Sequence, residues 1–375
     1  MKKIKGSKQI KRTGHIISAK YLSIFLILIF IVSARAAFAD PNKKIETKDS
    51  WKEIKLVLDA VNYAWCGNRH IVFGDDKYGK SGKGIFIYDL DSGVIEDIAN
   101  DPDHSRDLWP VSCTVDSRYV VFVRKKFGEK EAPTSLFVFD RETKTIKRYA
   151  MKDGWMHLSP YANYVVGPAL PQGQKYILPG GKEVKLVPRR EGTLDKIGFN
   201  RLQWSADEKT LFLFDIRSGR LTTYDIEKDR LDTSFIKVEG SSRFGEMRIT
   251  KDNKLYVSAL LYTPKHMEEG IVNLYLFDLE KPGEKPILLA SDIGAEDFDM
   301  DSEGNLVYFK DPDDKHSETG LYYLEKGKKQ AQLLKNYKCY ENCYAPKISR
   351  NGKGIIFARS TGHNKPKEFT ILIRN

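Results

Sequence analysis

The feature that most constrains the fold is an internal repeat with a period of 45 to 51 residues. Each copy has a polar turn of about five residues and then an apolar run rich in β-forming residues. The copies begin at Trp65, Thr114, Ser159, Ser205, Thr250, Asp301 and Ser349. A period in the forties with several short strands per unit is typical of a β-propeller blade.

Each repeat has room for four strands. One strand precedes the polar turn and one follows it; a third ends in an aromatic residue and an aspartate, and a fourth completes the unit. The aspartates are Asp89, Asp140, Asp225 and Asp278. Runs such as VVFV (120–123) and LFLF (211–214) are apolar at successive positions, so both faces of the sheet must be covered. The repeat therefore predicts an all-β, seven-bladed β-propeller of four-stranded antiparallel blades, with neighbouring blades covering each other.

The last copy has room for only three strands before Asn375. The segment WKEIKLVLDAV (51–61) is predicted to supply the fourth, so that an N-terminal strand completes the last blade and closes the ring. Blade 3 is predicted to be the least regular, because Pro168, Pro171 and PGGK (179–182) interrupt its strands. The predicted propeller domain is 51–375.

The first forty residues have the pattern of a secretory signal. Basic residues precede the apolar stretch YLSIFLILIFIVSA (21–34), and the small-residue site Ala37-Phe38-Ala39 follows. We expect a signal peptide over 1–39 with cleavage after Ala39, a linker over 40–50, and a periplasmic or secreted mature protein. The alternative is an uncleaved anchor, which would be the chain's one contact with a membrane.

The net charge does not indicate a nucleic-acid partner. Residues 1–39 contain eight Lys or Arg and no acid, so the formal charge of +11 falls to +3 in the expected mature chain. Binding to nucleic acid by counterion release requires basic residues clustered on the folded surface. We therefore expect no nucleic-acid partner.

The four cysteines are Cys66, Cys113, Cys339 and Cys343. In an exported chain they are disulfide candidates, and three connectivities are open. Cys339 and Cys343 are close enough in sequence to close a small loop, and Cys66 and Cys113 occupy comparable places in neighbouring repeats. The alternative is four reduced, buried thiols.

Two sequence segments resemble known ligand-binding loops. GDDKYGKS (74–81) matches the P-loop pattern, but a strand-like IFIYDL follows where a P-loop requires a helix, so no ATP binding is predicted. DMDSEGN (299–305) resembles the start of a calcium loop, but Lys310 occupies the twelfth position, where a glutamate is required, and the flanks are predicted strands. Its acids are predicted to cap a turn.

The turn cores SPYAN, SADEK, TKDNK and SRNGK, each followed by an apolar run, resemble the S-P-D-G-K turn of the TolB-like, or PD40 (WD40-like), β-propeller repeats. The resemblance covers about residues 50 to 375 and excludes the separate domain that precedes the propeller in TolB. It implies a propeller architecture and does not by itself imply an activity.

Functional residues are expected on the face that carries the loops between second and third strands and between blades. The binding-face candidates are His104, His157, His266, His316, His363, Trp109 and Trp155. Imidazoles that converge on a channel could bind a divalent metal ion. Trp65 and Trp204, on innermost strands, are predicted to be core residues.

Two functions follow from these features. The preferred hypothesis is an exported, non-enzymatic binding module for a protein or cell-envelope component, acting through the loop-bearing face without a cofactor. The alternative is a metal-assisted lyase or hydrolase acting on oligosaccharides in the central channel. Oligogalacturonate lyases, whose blades this chain resembles in repeat pattern only, use such a channel site.

Overall fold

The computed structural model describes residues 51–58, 60–79, 82–100, 106–126, 135–150, 157–166, 176–187, 201–263, 266–310, 319–336, 346–360 and 367–374. Residues 51–375 form one compact unit. The predicted signal peptide and linker lie outside the described residues. Within the described ranges, no helix is both long enough and apolar enough to cross a membrane.

The described residues form 28 strands in seven four-stranded sheets. The first strand is β1 (Trp51–Leu58). Blade 1 contains β2 (Ala60–Cys66), β3 (His70–Gly79), β4 (Gly82–Asp89) and β5 (Ile95–Asn100); blade 2 contains β6 (Arg106–Cys113), β7 (Tyr119–Lys126), β8 (Ser135–Asp140) and β9 (Thr145–Ala150). Blade 3 contains β10 (His157–Leu158), β11 (Tyr164–Val166), β12 (Tyr176–Ile177) and β13 (Glu183–Leu186); blade 4 contains β14 (Arg201–Trp204), β15 (Thr210–Asp215), β16 (Arg220–Asp225) and β17 (Arg230–Phe235). Blade 5 contains β18 (Ser241–Ile249), β19 (Lys254–Thr263), β20 (His266–Asp278) and β21 (Ile287–Ala290); blade 6 contains β22 (Ile293–Met300), β23 (Leu306–Lys310), β24 (Gly320–Leu324) and β25 (Gln332–Asn336). Blade 7 contains β26 (Lys347–Ile348), β27 (Gly354–Ser360) and β28 (Lys367–Arg374).

The predicted seven-bladed, all-β propeller is confirmed. Blade 7 has the strand order β1-β28-β27-β26, so its outer strand comes from the other end of the described chain. β1 and β28 pair antiparallel along their whole length, from Trp51 opposite Arg374 to Leu58 opposite Lys367.

Seven apolar clusters hold the blades together, one at each interface between consecutive blades. β7 shows why its apolar residues are consecutive. Val120 and Phe122 pack towards blade 1, and Tyr119 and Val121 pack towards blade 3. Each large side chain buried in this way contributes about 1.5–3 kcal/mol, and no blade could cover both of its faces alone.

Blade 3 differs from the other six in one pairing. β11 pairs with β13 in parallel, with Tyr164 opposite Lys185, and the two-residue β12 forms the outer edge. A 3₁₀ turn (Pro179–Gly181) joins β12 to β13, with Gly180 and Gly181 in the left-handed region at φ 77° and 85°. Of the residues predicted to interrupt this blade, Pro179, Gly180 and Gly181 thus form the turn that ends β12 and reverses the chain, and Pro168 and Pro171 lie outside the described residues.

The polar turn that joins the first and second strands of a blade is called here the first turn. In blades 2 to 7 it is closed by its own side chains. Its first residue accepts a hydrogen bond from a backbone N–H four or five residues later: Tyr119 N to Thr114 Oγ1 is 2.9 Å, and Gly354 N to Ser349 Oγ is 2.7 Å. The fourth residue has positive φ in six turns: Ser117, Ala162, Glu208, Asn253, Gly304 and Gly352. The repeated S-x-x-G-like pattern therefore encodes a capped turn.

The two segments that resemble ligand-binding loops are parts of β-hairpins. Gly79 lies opposite Gly82, where β4 begins, so a strand follows the P-loop-like segment as predicted. Residues 299–305 join β22 to β23, so the calcium-like segment is flanked by strands, also as predicted. The Asp301 Oδ1 atom accepts bonds of 2.9 Å from the backbone N–H groups of Glu303, Gly304 and Asn305.

Candidate functional site: the channel mouth at the turn face

The first turns of all seven blades lie at one end of the central channel, called here the turn face. Near the first turn, one innermost-strand residue occupies an equivalent register in every blade; it is the last residue of its strand in blades 2 to 7 and the last but one in blade 1, where β2 continues to Cys66. These seven residues are named the collar: Trp65, Cys113, Leu158, Trp204, Ile249, Met300 and Ile348. The residues one position earlier are named the polar ring: Ala64, Ser112, His157, Gln203, Arg248, Asp299 and Lys347.

A cavity of about 640 Å³ opens at the turn face. Six collar residues line it, together with Gln203 and Arg248 of the polar ring. Gly67, Val115, Pro160, Ala206, Lys251, Ser302 and Arg350, one from each blade, also line it. The cavity therefore belongs to the assembled ring, because all seven blades contribute to its wall.

The polar ring contains an ionic network centred on Arg248. Its Nε and Nη2 atoms lie 2.9 and 2.7 Å from Asp299 Oδ1, and Nη1 also binds Glu246. Arg201 approaches the other oxygen of Glu246 at 3.2 Å. Asp299 Oδ2 accepts the backbone N–H of Ile348 at 3.0 Å. The network thus joins blades 4, 5, 6 and 7 inside the channel.

Burial and charge act in opposite directions on this network. Burial by itself would lower the pKa of Arg248, but the carboxylates of Glu246 and Asp299 outweigh it and raise that pKa. Burial likewise would raise the pKa of Glu246, but Arg248, Lys347 and Arg201 outweigh it and lower that pKa. Both groups are therefore held in their charged forms by each other.

Hydrogen bonds between blades surround the cavity. Gln203 exchanges two bonds of 2.8 Å with the backbone of Ile249. The indole Nε1 of Trp65 donates to Lys347 O at 3.0 Å. Across four further interfaces, Ser117 donates to Cys66 O, Val115 N to Pro160 O, Tyr161 N to Glu208, and Ser302 N to Arg350 O. The pair of Arg248 with Asp299 joins blades 5 and 6. Each of the seven interfaces has at least one such bond, so the wall of the cavity is built before any ligand arrives.

A disulfide joins blades 1 and 2 beside the cavity. Cys66 and Cys113 are bonded, with their Cα atoms 5.0 Å apart, and Cys113 lines the cavity. Register places Cys113 in the collar and Cys66 one residue beyond the collar, at the end of β2. Cys339 and Cys343 lie outside the described residues, so their pairing stays a prediction.

Arg350 of blade 7 reaches across the mouth. Its guanidinium carbon lies 6.0 Å from the ring centroid of Tyr161, which belongs to the first turn of blade 3. Blades 7 and 3 are three positions apart in a ring of seven, the largest separation available. Arg350 therefore places a positive charge over the opening of the cavity.

The structure describes the side chain of one predicted binding-face candidate, His157. His157 belongs to the polar ring, near the turn-face end of its strand, whereas the sequence analysis placed it near the loop-bearing face. Burial lowers its pKa to about 4, so this imidazole is neutral at pH 7. Trp65 and Trp204, predicted as core, are half-buried collar residues that line the cavity.

The other candidates are not brought together by the described structure. The side chains of His104, His266, His316, His363, Trp109 and Trp155 lie outside its described part, and their convergence stays a prediction. In that described part, no group of three or more His, Cys, Asp or Glu side chains could hold a metal ion.

Sequence reasoning missed Gln203, Arg248, Asp299 and Lys347. A signal was present: each precedes its first turn by two residues, so an alignment of the repeats puts these four polar residues in one column. The periodicity does not by itself assign that column to the channel, because the assignment also requires the number of blades and their radial arrangement.

The class of protein that these features define is a seven-bladed β-propeller with a preformed cavity at one mouth of its channel. No family model and no curated protein matches the chain. Solved structures to which it is similar are also propellers.

TolB from Acinetobacter baumannii is 13% identical, with a TM-score of 0.44; the match covers 82% of this chain and 64% of TolB. The β-propeller domain of Cps50 (Swd1) from Myceliophteria thermophila is 13% identical, with a TM-score of 0.49 and coverage of 84% and 99%. Oligogalacturonate lyase from Vibrio parahaemolyticus is 12% identical, with a TM-score of 0.47 and coverage of 86% and 97%. Likeness at this level concerns the fold alone.

Proposed function

We propose that this protein is an exported, non-enzymatic binding module that holds part of a protein or cell-envelope component in the channel mouth at its turn face. The observation that carries the proposal is the cavity of about 640 Å³ whose wall comes from all seven blades. This volume is within the range of about 300–1,000 Å³ that is usual for ligand sites.

The arrangement of the cavity favours binding. Its wall is apolar at the collar, where Trp65, Trp204 and Ile249 lie, and polar at the first turns that surround the mouth. An apolar centre within a polar rim is the usual anatomy of a recognition surface. The bonds between blades hold the rim in place, which reduces the entropy lost when a ligand binds.

The proposed site is on the opposite face from the one that the sequence analysis favoured. The first turns carry it, whereas His104, His316 and His363 are predicted from the sequence to lie in the loops of the other face. Binding through those loops, with or without a divalent metal ion, is a separate prediction. The proposed turn-face site uses protein side chains alone.

Export is part of the proposal. The basic segment, the apolar stretch 21–34 and the small-residue site before Asp40 support cleavage after Ala39 and a periplasmic or secreted location. The Cys66–Cys113 disulfide also supports an oxidising compartment. Fractionation of cells, with N-terminal sequencing of the mature protein, tests this part.

Site-specific photocrosslinking in intact cells tests the binding site. A crosslinking residue at Ser302, which lines the cavity, is expected to capture a discrete partner. The same residue at Lys147, on the outer strand of blade 2, serves as the reference position. Ala206→Trp, which fills part of the cavity, should abolish capture from Ser302.

The matched control is Lys209→Trp, a substitution in the same first turn but at an exposed position that does not line the cavity. It should leave capture intact. Equal capture from Ser302 and Lys147, or capture that survives Ala206→Trp, would show that the cavity is not the binding site.

A further inference from the structure

We infer that the channel mouth recognises an apolar, ring-sized group that carries a carboxylate close to it. This inference rests on the proposed function and specifies the ligand chemistry of the same cavity. The carboxylate could belong to a free aromatic acid or to the C-terminus of a partner polypeptide, and the experiment below distinguishes these two sources.

The requirement for an apolar group on the ligand follows from the residues of the collar. Trp65 and Trp204 belong to blades 1 and 4, which lie on opposite sides of a seven-membered ring, and both line the cavity. Each indole is held in place. Trp65 donates to Lys347 O and packs against Gly354, where an added Cβ would lie 2.5 Å from its ring, and Trp204 stacks on Tyr164 at 6.2 Å. Fixed aromatic surfaces in the cavity wall favour contact with a flat apolar group.

The requirement for a negative charge on the ligand follows from which charged residues at the mouth are already engaged by other groups of the protein. Arg248 lies deeper in the cavity and is engaged by Glu246 and Asp299. Asp301 is buried, and its oxygens accept bonds from three backbone N–H groups and from the Asn305 amide. Neither group offers its charge to a ligand.

The three remaining charged residues that line the cavity are Asp207, Lys251 and Arg350. Asp207 uses one oxygen to accept bonds from Ser205 Oγ and Lys209 N. In the described part of the chain, neither Lys251 nor Arg350 forms an ion pair. Two available cations therefore face one partly engaged carboxylate, and the mouth favours an anion.

Arg350 is the residue expected to meet that anion first. Its guanidinium lies over the mouth, held by contact with the half-exposed Tyr161 ring rather than by an acid. A carboxylate can accept two parallel bonds from a guanidinium, which a neutral or cationic ligand cannot. Lys251, in blade 5, adds a second positive charge on the same rim.

The test compares three probes of similar shape by isothermal titration calorimetry on the mature protein: 4-phenylbutyrate, 4-phenylbutanol and 4-phenylbutylamine. We expect the carboxylate to bind at least about tenfold more tightly than the alcohol, and the amine to bind most weakly. The double variant Lys251→Gln, Arg350→Gln should remove the tenfold advantage and leave the affinity for the alcohol unchanged.

The control is Lys209→Gln, Lys353→Gln, which removes two positive charges from first turns on the same face without changing the cavity lining. It should retain the preference for the carboxylate. If the control loses the preference as fully as the test variant, the general field of the face is responsible and the inference about Lys251 and Arg350 is overturned.

The source of the carboxylate is resolved with a hexapeptide that ends in phenylalanine, as the free acid and as the amide. Binding of the free acid more than tenfold tighter than 4-phenylbutyrate supports a polypeptide C-terminus, and equal or weaker binding supports a small aromatic acid. Equal affinity for carboxylate and alcohol, or no binding of any probe, overturns this inference. The proposed function fails separately, if crosslinking from Ser302 does not depend on the cavity.

Discussion

Two kinds of turn share the turn face, and they are built differently. Outer turns, between the third and fourth strands, are capped by the aspartate that ends the third strand: Asp89 Oδ1 accepts from Asp91 N and Ser92 N at 2.9 and 3.0 Å. These caps are local. First turns have similar caps, but they also bond to the next blade, as Val115 N does to Pro160 O and Ser302 N to Arg350 O at 2.8 and 2.9 Å.

The difference shows which part of the propeller is built by cooperation between blades. The cap of an outer turn should change little when the neighbouring blade moves, because the cap bonds lie within one hairpin. A first turn depends on two blades, as do the polar-ring contacts beside it. Substitutions near the channel should therefore weaken the whole ring, whereas substitutions at the periphery should act locally.

The largest effect is expected from the Cys66–Cys113 disulfide. It links positions 47 residues apart on two blades, and a loop of that length corresponds to about 4 kcal/mol in the chain-entropy treatment. Cys66→Ser, Cys113→Ser should lower the free energy of unfolding by about that amount in chemical denaturation. The double variant Cys339→Ser, Cys343→Ser provides the control. If this control lost about 4 kcal/mol of unfolding free energy and the Cys66, Cys113 variant lost little, the expectation would be contradicted.

The second effect concerns Arg248. Arg248→Met leaves the carboxylates of Glu246 and Asp299 without their main partner inside the channel, and breaking such a pair costs about 3 kcal/mol. The peripheral control is Lys281→Met, which removes a pair with Glu284 whose side chains are 60% and 64% exposed; its cost should stay below about 0.5 kcal/mol. Similar losses for both variants would remove the distinction between channel and periphery.

The third effect depends on pH. The pKa of His157 is lowered by burial to about 4 from an ordinary value of 6.5, so the unfolded chain takes up this proton first as pH falls. The stability that His157 contributes is present above pH 6.5 and is lost between pH 6.5 and 4, to a limit of about 3 kcal/mol.

His157→Gln should reduce that pH dependence, measured as the difference in free energy of unfolding between pH 7 and 4.5. His70, whose pKa is lowered by burial and by Arg141, contributes in the same direction in both proteins. An unchanged slope in the variant would show that His157 is not buried in neutral form.

The smallest expected effects come from removing the side chains that cap a first turn and an outer turn. Asp301→Ala removes an acceptor for three backbone N–H groups in a first turn and should cost about 2 kcal/mol. Asp301→Ser should recover about half, since serine caps the equivalent turns at Ser159, Ser205 and Ser349. Asp89→Ala, in an outer turn, should cost about 1 kcal/mol. A larger loss at Asp89 than at Asp301 would reverse the comparison.

Local features of the fold were predictable because their causes are local. A first turn is closed by bonds that span at most five residues, so its sequence pattern survives in six of seven copies. The P-loop-like and calcium-like segments could be assigned to hairpins for the same reason: the residues that follow them form strands. The parallel pairing of β11 with β13 was not predicted, because it depends on how a 3₁₀ turn redirects the chain.

The candidate site was much less predictable. Gln203, Arg248, Asp299 and Lys347 are about one repeat apart in sequence and make contact only through the ring. The candidate histidines drew attention by residue type, but among those candidates only His157 has a described side chain, and it lies near the turn face. The cations that remain available, Lys251 and Arg350, could be distinguished from the engaged acids only after each hydrogen bond was located.

The amino-acid sequence alone determined the period of the repeat and the four strands in each repeat, because these follow from the chemistry of the turns. It also determined that blades must cover each other, because apolar residues occupy successive positions of the strands. Tertiary structure alone decided which strand ends meet around the channel and which charges there neutralise each other. Those contacts join residues from different blades, and the energy of each depends on burial that exists only once the ring is assembled.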